Sequence, residues 1–429
     1  MIILRKIKAG ALQFVLFVGA IIAVLLMSFL LLTYTHQHFE KKTDVLIEVL
    51  RSADYGMAAS LMDDFPLEVS HTIDRASDIP ITITVKREFW GVFEKRTVLT
   101  SHNNTNYTKT ALIGGKDEEE LPALYVNDHQ RPIILAGNAK ITGTAYLPQQ
   151  GLKMGNIAGN SYNRSQLLYG RSMKSNSVLP NLSPELENQV NRFANKNYVP
   201  KGKLLNRLPV DGIKNSFESE SLVYKDRVVH LKNIVLTGNI IIVADYKIIV
   251  EPSARLNDIL LIAPEIEIQN SVKGSFQAIA NETIQVGKNC NLEYPTALMV
   301  NKKYADVVVE QAGQSQFNQI SSIYLDSNTN VSGMVMVLDE AKTKQYIPEL
   351  KIETNTIVNG EVYCTKNVEL KGTVNGMVYT DGFIALENGS VYQNHIYNGT
   401  INSENLSNTY TGILLASREG NKKVMKWLY

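Results

Sequence analysis

Four carboxylates, Asp245, Asp258, Glu265 and Glu267, fall close together in a stretch dominated by Ile, Leu and Val. Paired carboxyls on adjacent strands suit glycosidic-bond cleavage, in which one protonates the leaving oxygen and the other acts as base or nucleophile. Polysaccharide cleavage is therefore the enzymatic reading to weigh. Against it, Glu265 and Glu267 alternate with apolar residues, as outward, solvated strand positions do. The seven histidines, His36, His38, His71, His102, His129, His230 and His395, are scattered and form no His-x-x-x-His or His-Glu-x-x-His pair for a catalytic metal. No Gly-x-Ser-x-Gly elbow and no phosphate-cradling Gly loop occurs. Asp117-Glu118-Glu119-Glu120 reads as a solvated loop, because a calcium loop needs alternating oxygen ligands and a Gly-assisted turn. The expectation is a protein without catalysis, cofactor or metal.

The elements that would position these acids repeat. Val358-Asn359-Gly360-Glu361-Val362-Tyr363 returns sixteen residues later as Val374-Asn375-Gly376-Met377-Val378-Tyr379. The same hydrophobic-x-Gly-x-hydrophobic shape surrounds Gly143, Gly238 and Gly333. Ala244, Ala263 and Ala280 hold one place in successive units, 19 and then 17 residues apart. Such a period suits three short strands per coil, stacked about 4.8 Å apart into a parallel β-solenoid. About nine coils would span roughly 45 Å. A helical reading fails because Val, Ile and Thr dominate and Gly recurs. Frequent Asn after residue 155 supplies corners that tolerate left-handed backbone. Cys290 and Cys364 read as small buried side chains, with pairing in an oxidising compartment as the alternative.

Upstream the chain changes character. Ala11 to Thr33 contains no charged residue, and as a helix would span about 35 Å, against about 30 Å of hydrocarbon. Arg5, Lys6 and Lys8 precede it, which favours a cytoplasmic N-terminus. The expected fold is mainly β: an N-terminal transmembrane and stalk α-helix, a small antiparallel β-domain, then the solenoid. The divisions are a basic leader over 1–10, a membrane helix over 11–33, a stalk helix over 34–64 and a β-meander over 65–131. A first coil follows over 132–148, then an inserted subdomain over 149–229 with a short helix from Ser183 to Ala194. The solenoid proper covers 230–407, interrupted over 301–318, and a tail over 408–429 reads as a short helix capping the exposed last coil. A basic, membrane-touching tail is the alternative there.

Lys6-Ile7-Lys8-Ala9-Gly10, followed by Ala11-Leu12-Gln13-Phe14, resembles the start of type IV pilins and type II secretion pseudopilins. The resemblance implies leader cleavage between Gly10 and Ala11. Most of those proteins carry Glu at the fifth mature position, where this chain has Val15, as in some minor pseudopilins at the filament tip. An amphipathic stalk packing on a sheet is also what pilins have, and one is expected here over 40–62. Its apolar face would carry Val45, Leu46, Val49, Leu50, Tyr55, Met57, Ala58, Leu61 and Met62, with Glu40, Asp44, Glu48 and Ser52 on the other. The Val-Asn-Gly-x-Val-Tyr units over 323–402 resemble the repeats of bactofilins, which implies a right-handed β-helix. With 43 Lys plus Arg against 42 Asp plus Glu there is no electrostatic case for nucleic acid. The expected partners are membrane lipid along 11–33, envelope or filament proteins, and a surface glycan. The expected function is an extracytoplasmic scaffold for assembly or adhesion, anchored by one pass in the cytoplasmic membrane. A minor pseudopilin-like filament component and a polysaccharide-active β-helix enzyme are the alternatives.

Overall fold

The computed structural model describes residues 9–62, 65–117, 121–195, 198–302, 321–340 and 346–429. Arg5, Lys6 and Lys8, Glu118 to Glu120, and most of the 301–318 interruption lie outside them. The described chain forms two compact units.

The first unit takes in the helix as far as Ala58 with segments 70–85 and 98–108. Its helix, α1, runs unbroken over Ala9–Met62, so membrane and stalk segments are one element. No proline interrupts it, and an all-apolar run joins directly to a polar one without a cap. Its length and hydropathy suffice to cross a membrane, and none of its most apolar stretch is buried. Further along, Val49, Ser52, Ala53, Gly56 and Met57 turn inward. A Cβ on Gly56 would lie 2.6 Å from Ile83 Cγ2 and 2.9 Å from Val98 Cγ1, so glycine sets how closely the helix approaches the strands. The buried stripe is narrower than periodicity suggests: Leu46, Leu50 and Tyr55, expected on it, are exposed. Ser52, expected on the solvated side, is buried and accepts a hydrogen bond from Arg75 Nη1 at 2.7 Å.

The second unit holds segments 59–69, 86–97 and 109–429. Three long parallel sheets, here A, B and C, form its solenoid, and each coil visits B, then C, then A. Sheet C has 247–250, 265–268, 283–286, 323–325, 350–352 and 368–370 among its strands. Sheet A has 235–237, 255–257, 273–275, 291–292, 330–332, 357–359 and 373–375. Sheet B contains, in spatial order, 203–205, 222–226, 240–244, 259–262, 276–280, 297–301, 333–338, 360–364 and 376–380. It then continues with Pro122–Val126, Thr144–Leu147 and Ser172–Lys174. Residues 122–174 thus take up the winding where residue 402 leaves it. Thr400–Asn402 pairs with Lys140–Thr142, and His395–Tyr397 with Ile133–Ala136. Twelve strands at about 4.8 Å spacing make a column of about 53 Å, longer than the nine-coil expectation because early and late chain share it.

Three expectations are corrected. Solenoid pairing begins at Pro122, inside the stretch expected as meander. The 149–229 segment is not a separate subdomain: 152–154, 172–174, 203–205, 213–215 and 222–231 are all solenoid strands. Asn156–Ile157 and Asn160–Ser161 make a short antiparallel excursion beside the winding, and 175–202 carries the chain from one end of the column to the other. Its helix, α2, covers Pro184–Ala194, with Ser183 Oγ accepting from Leu186 N at 3.3 Å and Glu185 and Glu187 in the first turn. The tail is a strand, not a helix: Lys422–Leu428 pairs antiparallel with Thr105–Gly115. The coil ending at residue 402 needs no cap from the tail, because 122–142 already lies on it.

Corner chemistry follows the repeat. Asn233, Asn289, Asn328 and Asn355 adopt positive φ between sheets C and A. Gly143, Gly238, Gly333, Gly360 and Gly376 do so between A and B. A Cβ at Gly376 would sit on the carbonyl oxygen of Gly360, and one at Gly360 on that of Gly333. Stacked glycines are therefore required by both φ and contact. Inside, an aliphatic column includes Ala244, Ala263 and Ala280 as well as both cysteines, which are unpaired. Each Val, Leu or Ile buried there contributes about 1.5–3 kcal/mol. On sheet A, Asn291, Asn330, Asn359 and Asn375 form a ladder of amide hydrogen bonds, which Asn405 of the following 3-10 turn extends, 2.8–3.2 Å long.

Candidate functional site

Sheet B is covered on its outer side, and the cover carries most of the buried charge. Trp90, Phe93, α2, Leu179, Leu182, Ile413 to Leu415 and Leu428 pack over Ile241, Leu260, Met299, Met334, Tyr363 and Met377. The hairpin tip at Gly91 is clasped by one side chain: Gln277 Nε2 donates to Trp90 O, and Gln277 Oε1 accepts from Val92 N, both at 2.8 Å. Gln277 is an outlier in the run Phe276-Gln277-Ala278-Ile279-Ala280, and that polar intrusion is the signal that was present in the sequence.

Glu361 is the one residue at which the two closest repeats differ, Met377 standing in its place. It is fully buried, and its carboxylate accepts from Arg418 Nη1 and Ile413 N, each at 2.7 Å. Arg418 also forks onto Asp117 at 2.8 and 2.6 Å, so the segments carrying Asp117 and Arg418 are tied to sheet B through one guanidinium. A second cluster centres on Glu94, which accepts from Arg96 Nε at 2.6 Å and Arg87 Nε at 3.0 Å, with Lys422 Nζ at 3.4 Å. Burial opposes its charge. Arg96, the Arg87 hydrogen bond and Lys422 overcome that and hold the carboxyl down at about 2. Both clusters bind chain segments together.

The four acids expected as catalytic candidates are not gathered as a reactive pair; each has a cation. Asp245 lies 2.9 Å from Lys225, and Asp258 2.6 Å from Lys426 of the C-terminal strand. Lys247 stands 2.7 Å from Glu267 and 3.9 Å from Glu265. Among the described residues no group of three His, Cys, Asp or Glu side chains is arranged to hold a metal. His129 Nε2 donates to the Asp381 carboxylate at 2.8 Å across the joint between residues 122–130 and 376–383.

Two of those acids, Asp245 and Glu265, line a groove of about 760 Å³ where sheet B turns into sheet C. Its floor is Val243, Ile262 and Ile279, in register on three successive coils. One wall is the ring pair Phe193 and Tyr198, whose centroids are 4.9 Å apart. The wall comes from the end of α2 and the residue run after it, which periodicity cannot place beside sheet B.

No protein-family model matches this chain, and no curated protein or solved structure is significantly similar to it. Its long apolar helix and large parallel β-sheet therefore stand on the sequence and the geometry alone.

Gly10 and Ala11, the candidate cleavage pair, both lie within α1 near its start. Nothing lies within 4 Å of the position a Cβ would take on Gly10, and Ala11 is exposed, as is Val15. The repeat-defining glycines occupy corners of the column rather than any cleft, so their role is to permit stacking.

Proposed function

We propose that this chain is a non-enzymatic assembly scaffold, anchored by α1 in the cytoplasmic membrane with its β-solenoid on the far side. The observation that carries this reading is α1 itself. Its apolar 11–33 stretch is bare of protein contact, whereas Val49, Ala53 and Met57 on the same unbroken helix are buried. An apolar surface of that size left to water is costly, and lipid relieves it. The basic residues before the span favour a cytoplasmic N-terminus. The ion pairing of Asp245, Asp258, Glu265 and Glu267 supports binding or architecture over hydrolysis, since a general acid needs an open partner site.

A filament reading is favoured by one further observation: the helix seats on antiparallel strands through Gly56, in the manner of the pilins its N-terminus resembles. In that case the chain is a minor, pilin-like subunit that joins its neighbours along 11–50 and displays the solenoid. Exposed Leu46, Ile47 and Leu50 supply apolar surface for such packing.

The deciding experiment is intact-mass and N-terminal peptide analysis of the protein from native membranes, beside protease protection in spheroplasts. A chain beginning at Ala11 supports the filament reading, and Gly10→Val then blocks maturation. A chain retaining Met1 supports a fixed anchor. Protection of the solenoid from external protease overturns the outward orientation in either case.

A further inference from the structure

We infer that the groove between sheets B and C is a binding site for a neutral, linear glycan. The inference deepens the scaffold reading by naming what the solenoid holds. Three successive coils lay Val243, Ile262 and Ile279 along the floor, so the trough runs parallel to the column axis and is straight by construction. Neighbouring coils lie about 4.8 Å apart, which favours an extended ligand over a compact one.

The walls select its chemistry. Phe193 and Tyr198 present rings on one side, and Tyr246, 57% exposed, stands at the other with the Arg227 guanidinium 5.3 Å from its centroid. Pyranose rings offer C–H faces to such surfaces and hydroxyls to the charged rim. Three cations, Lys225, Arg227 and Lys247, face three carboxylates, Asp245, Glu265 and Glu282. The Lys225–Asp245 pair, 2.9 Å apart, is already closed. A balanced rim has no excess field to attract a polyanion or a polycation, yet it offers paired donors and acceptors to hydroxyls. The Asn281 amide oxygen at the groove has no hydrogen-bond partner. A peptide strand is the poorer occupant, because the strands over 222–280 are paired on both sides and leave no edge to extend.

The test is calorimetric titration of the full-length chain, in detergent micelles, with cellohexaose, maltohexaose, laminarihexaose and chitohexaose, and with a hyaluronan hexasaccharide as polyanion. We expect at least one neutral hexaose to bind, and Tyr246→Ala to weaken it about tenfold or more, a loss of about 1.4 kcal/mol. Tyr246 is exposed, so this variant keeps its fold. Tyr324→Ala, in a separate trough lined by Glu267, Gln285 and Asp326, leaves the affinity unchanged. Binding of none of the neutral probes overturns the inference. So does binding that Tyr246→Ala does not weaken, or tighter binding of hyaluronan. Each result is independent of whether α1 is cleaved or which way it faces the membrane.

Discussion

Sheets B and C are made by the same coils only a few residues apart, yet their outer faces meet different surroundings. Sheet B reads Ile240-Ile241-Ile242-Val243 and Ile259-Leu260-Leu261-Ile262, apolar at every position, because the hairpin, α2 and the chain's end cover it. Sheet C reads Glu265-Ile266-Glu267-Ile268 and Thr283-Ile284-Gln285-Val286, with every second residue outside. Continuous apolar strands mean two buried faces, and alternating ones mean a single buried face. The buried polar residues of the covered part of sheet B, Gln277 and Glu361, are therefore the informative ones, whereas Glu265, Glu267 and Gln285 on sheet C point to solvent or to surface ion pairs.

The comparison is broken most severely at Arg418. Arg418→Ala leaves the buried Glu361, and Asp117 with it, without their shared cation, and we expect a loss of about 3–5 kcal/mol in urea denaturation. The inner faces are a control that sharpens it. Leu261→Ala on sheet B and Ile266→Ala on sheet C each empty the same column, and both should cost about 2–5 kcal/mol. A large difference between those two would locate the asymmetry inside the solenoid instead of outside it.

Acid separates the two faces next. Glu94 is held at about 2 when folded, below its ordinary value of 4.5. Its contribution, about 3 kcal/mol, is present above the unfolded pKa and is lost as pH falls from about 4.5 towards 2. Buried Trp90, 5.3 Å from the Phe217 ring, should report loosening of the cover by its fluorescence in that window. Glu94→Gln should flatten the transition. A smaller effect is expected for Gln277→Ala, which leaves Trp90 O and Val92 N without partners and costs about 1–3 kcal/mol; hydrogen exchange at residues 90–93 measures it. The smallest is Lys247→Ala on the open face of sheet C. It removes half-exposed ion pairs and should change stability by less than about 1 kcal/mol.

How far the fold was legible follows from which interactions are local. The Val-Asn-Gly-x-Val-Tyr units announced the solenoid because Gly360 and Gly376 each satisfy a corner that only the adjacent coil makes necessary, and the adjacent coil is sixteen residues away. The groove was half legible: the alanine series marked its corner, but the Phe193–Tyr198 wall comes from about fifty residues earlier in the chain. Glu361 stood out as the odd position of a repeat, with nothing nearby to name Arg418 and Asp117 as its partners. The tail was misread as helical because Val424, Met425, Trp427 and Leu428 with interspersed lysines suit an amphipathic helix as well as a strand. The neighbour that decides, Thr105–Gly115, lies some 300 residues away.

By itself the sequence determined the membrane-length helix, the parallel β-repeat and the identity of its corner residues. All of these arise from patterns within twenty residues or so, where backbone sterics and side-chain period act directly. Only the tertiary structure decided that residues 122–174 continue the column begun at 203, that 175–202 carries the chain along its length, and that the last strand pairs with residues 110–115. Parallel β-pairing has no preferred partner in sequence. Any coil edge will accept any other of matching register, and which edges meet is settled by what the whole chain must cover.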